Sequence, residues 1–505
     1  MLIHAFLCCA ATLCAAAEVP AAPRADAFVL VTVAASELAR AQDAVGAANL
    51  TPVEAIDPGV PLVRCLSRFA AADRLAREGF EVGALTTSVP VKYIIPGFRG
   101  RAGAPPREAE GRIDVHDGFH DGPMIEALLA AFAARYPAIT ALREIGKSVQ
   151  GRRLLALKIS GRAAVEEDEP AVLFAGGVHG SEVLGPELVL DIIAELTAGY
   201  AAGGDVRRWV DSCAIWCVPL VNPDGNHRYF HVSGAGRKNG ADTNGNGADD
   251  RTDGVDLNRN FPFMWNALAE RGSSADPAHG RYRGPRPASE PETRAVMALA
   301  EAQRFVIAFS FHTAGTKVLV PYTIDGVQSP SPHTAWMIAE RIAALASLPE
   351  HGCNYKAVRN LYPVDGTDQD WLYHTHGTLA YIIEGPRTSI EAPGPPMPVV
   401  KGMRRGWRFA LARLFEGPTL SGRVRDAGTG APLAAELALA EITTYAGERH
   451  TAHPATGRFD LILPAPGIYH LHVAKEGFEP RALAVQVGEE RREVEVLLAA
   501  DQLAE

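Results

Sequence analysis

The chain has 505 residues, of which 47% are hydrophobic and 21% are charged, and its net charge is −10. This composition excludes a disordered chain, and the length exceeds what one ordinary core accommodates, so we expect two to four domains. The acidic balance argues against binding to nucleic acid or to an anionic membrane surface.

Residues 1–17 are typical of a secretory signal peptide. Residues 6–17 are apolar or small, and Ala15-Ala16-Ala17 offers a small-residue cleavage site. We therefore expect a secreted or periplasmic protein. The apolar run is too short to cross a bilayer comfortably, and no other segment is long and apolar enough to be a transmembrane helix.

Four cysteines lie beyond the predicted signal: Cys65, Cys213, Cys217 and Cys353. They allow three disulfide pairings in an oxidising compartment, and the sequence does not choose among them. Cys213 and Cys217 should not bond to each other, because they lie about 13 Å apart on one extended strand.

Residues 18–95 are predicted to form a small α+β unit. Its predicted strands are 28–33, 62–66 and 80–85, and its predicted helices are 36–47 and 70–78. Residues 96–112 are rich in Pro, Gly and Arg, which is typical of a linker. Proteolytic release of the N-terminal unit at this linker and a permanently attached unit are both open alternatives.

Residues 113–416 are predicted to form an α/β domain. Asp121 can cap a helix with Pro123 in its first turn, and Ile125, Leu128 and Phe132 lie on one apolar face. Strands and helices then alternate, which favours a largely parallel sheet flanked by helices. Residues 417–505 instead contain short strands with a period of two, which predicts a β-sandwich.

Polar residues directly follow three apolar runs of the α/β domain. His179-Gly180-Ser181-Glu182 follows residues 171–178, His312 follows 305–311, and Glu384 follows 379–383. Each one alone is more often a structural residue than a ligand. However, all three lie where a buried strand leaves a sheet, and ligands bind at that edge in open α/β sheets. Two imidazoles and one carboxylate are three zinc ligands, and the remaining carboxylate is a candidate base.

Further motifs extend this pattern along the chain. They are Gly146-Lys147-Ser148-Val149-Gln150-Gly151-Arg152, Asn222-Pro223-Asp224-Gly225, Arg237-Lys238-Asn239, Gly254-Val255-Asp256-Leu257-Asn258-Arg259-Asn260-Phe261, Ser289-Glu290-Pro291-Glu292, Leu361-Tyr362 and Gln369-Asp370-Trp371. With the three strand-end sites, they make residues 115–410 resemble the zinc metallocarboxypeptidases, the group that includes carboxypeptidase A. The C-terminal sandwich is similar to the transthyretin-like domain of the regulatory carboxypeptidases N, E and D.

The resemblance implies a twisted, mixed α/β sheet flanked by helices, with the site at the strand ends. It also implies a role for each matching residue. His179, Glu182 and His312 would hold one zinc ion, Asp256 would orient the first histidine, and Glu384 would be the general base. Arg237 would stabilise the oxyanion. The terminal carboxylate of the substrate would be bound by Asn258 and Arg259 and covered by Tyr362.

Gln369 matches the specificity position at the base of the family's substrate pocket. Basic-selective regulatory members place an aspartate where this chain has Thr323. The resemblance therefore argues against strict Lys/Arg specificity, although Asp368 beside Gln369 would favour a basic side chain.

A loop between Arg237 and Asp256 has the oxygen spacing of a calcium site. The candidate ligands are Asp242, Asn244, Asn246, Asp250 and Asp253. A surface turn rich in Asn, Gly and Asp is the alternative interpretation.

The sequence thus predicts a zinc metallocarboxypeptidase that acts on the C-termini of peptides or proteins, with calcium as an open second cofactor. No partner protein can be inferred. One alternative is an amidase or deacylase on the same scaffold that acts on peptidoglycan peptides or acylated amino acids. The other is a catalytically inactive binding protein.

Overall fold

The computed structural model describes residues 28–34, 38–45, 50–57, 60–68, 75, 82–86, 108–109, 112–232, 235–247, 252–386 and 395–501. The predicted signal (1–17) and most of the predicted linker (96–112) lie outside the described residues. Contacts between Cα atoms divide the chain into two compact units, which are 1–98 with 228–235, and 99–227 with 236–505.

The first unit contains a four-stranded antiparallel sheet of order β2-β3-β1-β4. Its elements are β1 (Phe28–Ala34), α1 (Leu38–Val45), β2 (Leu50–Asp57), β3 (Val60–Arg68) and β4 (Val82–Thr86). The three predicted strands and the first predicted helix are confirmed, while most of the second predicted helix lies outside the described residues. Strand β2 was not predicted, because Pro52 and Glu54 interrupt its apolar pattern where the register shifts.

The second unit begins with a short two-stranded ribbon, β5 (Glu108–Ala109) and β6 (Arg112–Ile113), inside the predicted linker. The first long helix then starts as the sequence predicts. Asp121 caps it by accepting a hydrogen bond from the Met124 backbone nitrogen, and Ile125, Leu128 and Phe132 are buried.

The core of this unit is an eight-stranded mixed sheet of order β13-β12-β14-β11-β9-β10-β8-β7. The four central strands (β14, β11, β9 and β10) are parallel. On one side β8 and β7 continue the sheet by antiparallel pairing, and on the other β12 is antiparallel to β14 while β13 is parallel to β12. The strands are β7 (Thr140–Lys147), β8 (Arg153–Ile159), β9 (Ala171–Gly176), β10 (Ala214–Val218), β11 (Phe305–Thr313), β12 (Lys317–Leu319), β13 (Lys356–Val358) and β14 (Leu379–Gly385).

Helices pack around this sheet, and the predicted α/β class with a mixed sheet is confirmed. They are α2 (Gly122–Arg135), α3 (Leu184–Gly199), α4 (Gly204–Ser212), α6 (Pro291–Gln303), α7 (Thr334–Ala346), α8 (Asp368–His376) and α9 (Met397–Phe415). A further helix, α5 (Pro223–His231), contains residues of both units. Within the described ranges, no helix is long and apolar enough to cross a bilayer.

The C-terminal segment forms two sheets around a separate apolar core, which agrees with the predicted sandwich. One sheet has the order β18-β15-β21 and the other β17-β16-β19-β20. Their strands are β15 (Thr419–Asp426), β16 (Glu436–Leu439), β17 (His450–Thr451), β18 (Arg458–Ile462), β19 (Gly467–Ala474), β20 (Arg481–Val487) and β21 (Arg491–Leu498). The alternation predicted for β19 is confirmed, because Tyr469, Leu471 and Val473 are buried.

Candidate metal centre and substrate cleft

The predicted metal ligands and the predicted base lie at one edge of the sheet, where three neighbouring parallel strands end. His312 on β11 is the register partner of Glu384 on β14. His179 follows β9, the other neighbour of β11, and Glu182 lies just before α3. A side chain at Gly180 would place its Cβ 2.1 Å from the Asn226 backbone nitrogen, so only glycine lets the His179 loop approach this closely.

The three predicted ligands converge on one point. The Nδ1 atoms of His179 and His312 lie 3.2 Å apart, and each imidazole contacts a different oxygen of Glu182, at 2.8 and 3.0 Å. The potential ligand atoms all lie within 4.8 Å of one another. The backbone nitrogen of Thr313 donates a hydrogen bond to Glu182 Oε2 at 3.0 Å, and this bond restrains the carboxylate.

Each histidine is held by a second partner on its other ring nitrogen. His179 Nε2 lies 3.1 Å from Asp256 Oδ1, and His312 Nε2 lies 3.0 Å from Ser310 Oγ. Because an ionised carboxylate only accepts, Asp256 fixes the Nε2–H tautomer of His179 and leaves the Nδ1 lone pair for a cation. The sequence predicted this role for Asp256 but did not predict it for Ser310.

Glu384 lies beside the ligands in the same cleft. Its Oε2 atom is buried and has no hydrogen-bond partner among the described residues. Burial raises the pKa of Glu384, and the charge of Glu182 raises it further. A carboxyl group with a raised pKa and an unused oxygen suits a residue that takes up and releases a proton.

The pKa values of the ligands reflect their mutual contacts. Burial alone would raise the pKa of Glu182, but the two imidazoles outweigh burial and hold it well below its usual value. Burial would lower the pKa of His312, but Glu182 outweighs that effect and raises it to about 9. Glu182 and His312 therefore stabilise each other's charged forms.

Arg237 is fixed beside the ligands by Asp256. Its Nε and Nη2 atoms donate to Asp256 Oδ2 at 2.9 and 2.6 Å. Its Nη1 atom lies 3.3 Å from His179 Nδ1 and 3.8 Å from Glu182 Oε1. Asp256 thus supports both a candidate ligand and the arginine predicted to bind the oxyanion.

Asn258, Arg259 and Tyr362 lie together in the same cleft as the predicted ligands. The Asp368 backbone nitrogen donates to Asn258 Oδ1 at 2.9 Å, so the amide nitrogen is the end of the Asn258 side chain left for a ligand. The Tyr362 hydroxyl is 3.4 Å from Arg259 Nη2, and the guanidinium carbon is 5.9 Å from the centre of the tyrosine ring. Tyr362 is 45% exposed although it covers a buried arginine, which suits a residue that can be displaced by a ligand.

Gln369 lies in the wall of the cleft, and two aspartates adjoin it in sequence. Asp370 is buried and accepts hydrogen bonds from the backbone nitrogens of Thr323 and Ile324 and from the Thr323 hydroxyl. Burial raises the pKa of Asp370 to about 6. Asp368 accepts from the Gln369 backbone nitrogen and lines an inner cavity, but it does not line the cleft. The suggestion that Asp368 favours a basic substrate side chain therefore loses its support.

The same cleft wall is attached to the C-terminal sandwich. Tyr322, which precedes Thr323, donates its hydroxyl to Glu448 Oε2 at 2.7 Å. Glu448 is also contacted by His450 Nε2 at 2.9 Å and is fully buried. Asp370 lies in the Gln369-Asp370-Trp371 motif, but no role was predicted for it, and no motif contains Glu448. The partners of both residues are distant along the chain.

The predicted calcium loop forms internal hydrogen bonds. Asp242 accepts from the backbone nitrogens of Gly245 and Gly247, at 2.7 and 2.9 Å. Asp253 accepts from both the backbone nitrogen and the hydroxyl of Thr243, and Asn244 accepts from the Asn246 backbone. Asp250 lies outside the described residues. These bonds are typical of the alternative, an Asx-rich surface turn, and no contact of the described residues supports calcium.

Cys213, Cys217 and Cys353 are buried and free. The prediction that Cys213 and Cys217 do not bond to each other is therefore confirmed.

The donor set fits zinc. Two imidazole nitrogens and one carboxylate converge, their other ring nitrogens are occupied by oxygen partners, and an unpaired carboxylate lies alongside. Three such ligands with an adjacent cleft are the arrangement of a catalytic zinc centre, whereas structural zinc sites have four protein ligands. The fold and the site thus define a zinc-dependent enzyme of the α/β class.

Comparison with known proteins agrees with this class. Residues 125–397, just over half of the chain, match the family described as "Zinc carboxypeptidase". The chain is 31% identical to a zinc carboxypeptidase of Saccharothrix mutabilis subsp. capreolus, over 53% of this chain and 62% of that protein. It is 30% identical to carboxypeptidase B of Astacus astacus, over 53% of this chain and 86% of that protein. The chain belongs to the zinc carboxypeptidase family.

Two further comparisons cover more of the chain. Mouse carboxypeptidase D is 28% identical over 75% of this chain, but the match spans only 26% of that longer protein. The crystal structure of carboxypeptidase A from Helicoverpa armigera covers 77% of this chain and 99% of its own, with a TM-score of 0.52 and 21% identity. At that identity, the structural likeness shows the fold.

Proposed function

We propose that the protein is a zinc metallocarboxypeptidase that removes the last residue from peptides or proteins. The observation that carries this proposal is the convergence of His179, Glu182 and His312 beside the unpaired Glu384. A bound zinc ion would lower the pKa of a water molecule in the cleft and polarise the scissile carbonyl group.

Side chains of the protein carry out the proton transfers and stabilise the developing charge. Glu384 takes a proton from water as the water oxygen adds to the carbonyl carbon, and it returns a proton to the amine nitrogen as the C–N bond breaks. Arg237, fixed by Asp256, stabilises the negative charge that develops on the carbonyl oxygen.

Recognition of a free C-terminus is assigned to Asn258 and Arg259. The guanidinium group of Arg259 is buried at the cleft, and its charge suits a substrate carboxylate. Tyr362 already contacts Arg259 and would cover the bound residue. This cluster favours an exopeptidase over a general amidase.

Two measurements test the proposal. Purified protein should contain about one zinc ion per chain, and it should release the last residue of an unmodified peptide but not of the same peptide ending in an amide. Equal rates on both peptides would favour the amidase or deacylase alternative. Zinc binding without turnover on any peptide would favour the inactive binding protein.

The domain organisation and location are also proposals. We propose a signal at 1–17, an α+β unit at 18–95, a linker at 96–112, a catalytic domain at 113–416 and a transthyretin-like sandwich at 417–505 in a secreted or periplasmic protein. N-terminal sequencing of the exported protein would locate the cleavage sites.

A further inference from the structure

One wall of the cleft carries no charge. Among the described residues, Glu182 and Glu384 at the candidate metal centre are the acidic side chains that line the cleft, and Asp370 is enclosed by Thr323 and Ile324. The wall consists of aliphatic side chains and neutral polar ones, among them Leu319, Ile382, Thr323, Thr367 and Gln369. A basic side chain bound against this wall would lose its hydration without gaining a counter-ion.

Hydrogen bonding fixes the orientation of the Gln369 amide. The Asp370 carboxylate already accepts backbone hydrogens, so the Thr323 hydroxyl, 2.8 Å from Asp370 Oδ2, must donate to it. The oxygen of that hydroxyl then accepts from Gln369 Nε2 at 3.0 Å. Because Nε2 is the end of the Gln369 amide that donates to Thr323, the other end is the oxygen Oε1, which can only accept a hydrogen bond.

This acceptor and one hydroxyl in the same wall are unsatisfied. Gln369 Oε1 and Thr367 Oγ1 are both buried, and neither has a hydrogen-bond partner among the described residues. Buried polar atoms in native proteins usually have partners, so two such atoms on residues lining one cleft point to a ligand that supplies them. A carboxamide group carries both an N–H donor for Gln369 and a carbonyl acceptor for Thr367.

We propose that the cleft selects peptides whose last residue is glutamine or asparagine, in preference to residues with basic, acidic or aliphatic side chains. This inference rests on the proposed carboxypeptidase function. An aliphatic side chain would leave both polar atoms unsatisfied, and an acidic side chain would place two acceptors against Gln369 Oε1.

The test uses the full-length zinc-loaded protein and four N-blocked dipeptides that differ only in the last residue. These end in glutamine, in its apolar isostere 2-amino-5-methylhexanoic acid, in glutamate or in lysine. We expect kcat/KM for glutamine to exceed that for the apolar isostere by about tenfold or more, and to exceed those for glutamate and lysine by at least as much. An equal or higher kcat/KM for the isostere or for lysine would overturn the inference.

Two variants test whether Gln369 and Thr367 cause the preference for glutamine. Gln369→Leu and Thr367→Val should each lower the ratio of kcat/KM for glutamine to that for the apolar isostere, whereas Gln303→Leu, at the opposite end of the sheet, should not change it. Unchanged ratios in Gln369→Leu and Thr367→Val would contradict the assignment.

Binding measurements separate failure of this inference from failure of the proposed function. If no dipeptide is cleaved, the carboxypeptidase proposal fails, and calorimetry with the free amino acids then decides the inference. L-Glutamine should bind about tenfold more tightly than the apolar isostere. Equal affinities would remove the carboxamide preference as well.

Discussion

The two sides of the cleft are built in opposite ways. On the metal side, charged groups contact one another directly, as Glu182 does with two histidines and Arg237 does with Asp256. On the pocket side, the Asp370 carboxylate is separated from the cleft by neutral hydrogen-bonding groups. The comparison suggests that the metal side determines which reaction occurs, while the pocket side determines which residue is released.

The largest effect is expected from removing the unpaired acid on the metal side. Glu384→Gln should lower kcat by about 10²–10⁴-fold, because general acid–base catalysis contributes that much, while zinc content stays unchanged. Glu340→Gln, an exposed position on α7, is the matched control. Near-normal turnover of Glu384→Gln would remove this residue from the mechanism.

An intermediate effect is expected from the groups that orient the two histidines. Asp256→Asn should weaken zinc binding by about 10–100-fold, measured by competition with a chelator, because it removes a charged partner of His179. Ser310→Ala should weaken zinc binding less, because the partner of His312 is neutral. Ser421→Ala, a buried serine of the sandwich, controls for removal of a hydroxyl. A larger loss in Ser310→Ala than in Asp256→Asn would contradict this ranking.

The smallest effect is expected on the pocket side, where the sandwich supports the wall. Burial and the charge of Glu448 raise the pKa of Tyr322 far above its usual value, so its hydroxyl remains a donor. Tyr322→Phe should lower the free energy of unfolding by about 1–2 kcal/mol, measured by denaturant titration, because it leaves a buried carboxylate with one partner fewer.

Tyr381→Phe is the matched control for that prediction. Tyr381 is also fully buried, but its hydroxyl has no partner among the described residues, so its removal should change stability little. Equal losses in the two variants would show that the contact between Tyr322 and Glu448 contributes nothing specific to stability.

Much of the fold follows from local sequence patterns. Continuous apolar runs predicted the central strands. The capping residue Asp121 and the apolar face of the helix that follows it predicted α2. Strand β2 escaped prediction because Pro52 interrupts it at an irregular register. Strand β2 is held in the sheet by pairing with β3, and such pairing cannot be predicted from the residues of one strand alone.

The sequence by itself determined the α/β class and the strand-end positions of His179, Glu182, His312 and Glu384, because residue type and periodicity are local properties. Only the tertiary structure decided which atoms of these residues meet, since the order of β9, β11 and β14 is set by pairing between segments that are far apart along the chain. It also decided the chemistry of the pocket. Asp370 is enclosed by Thr323 and Ile324, which lie 47 and 46 positions away, so its carboxylate does not act as a charge in the cleft.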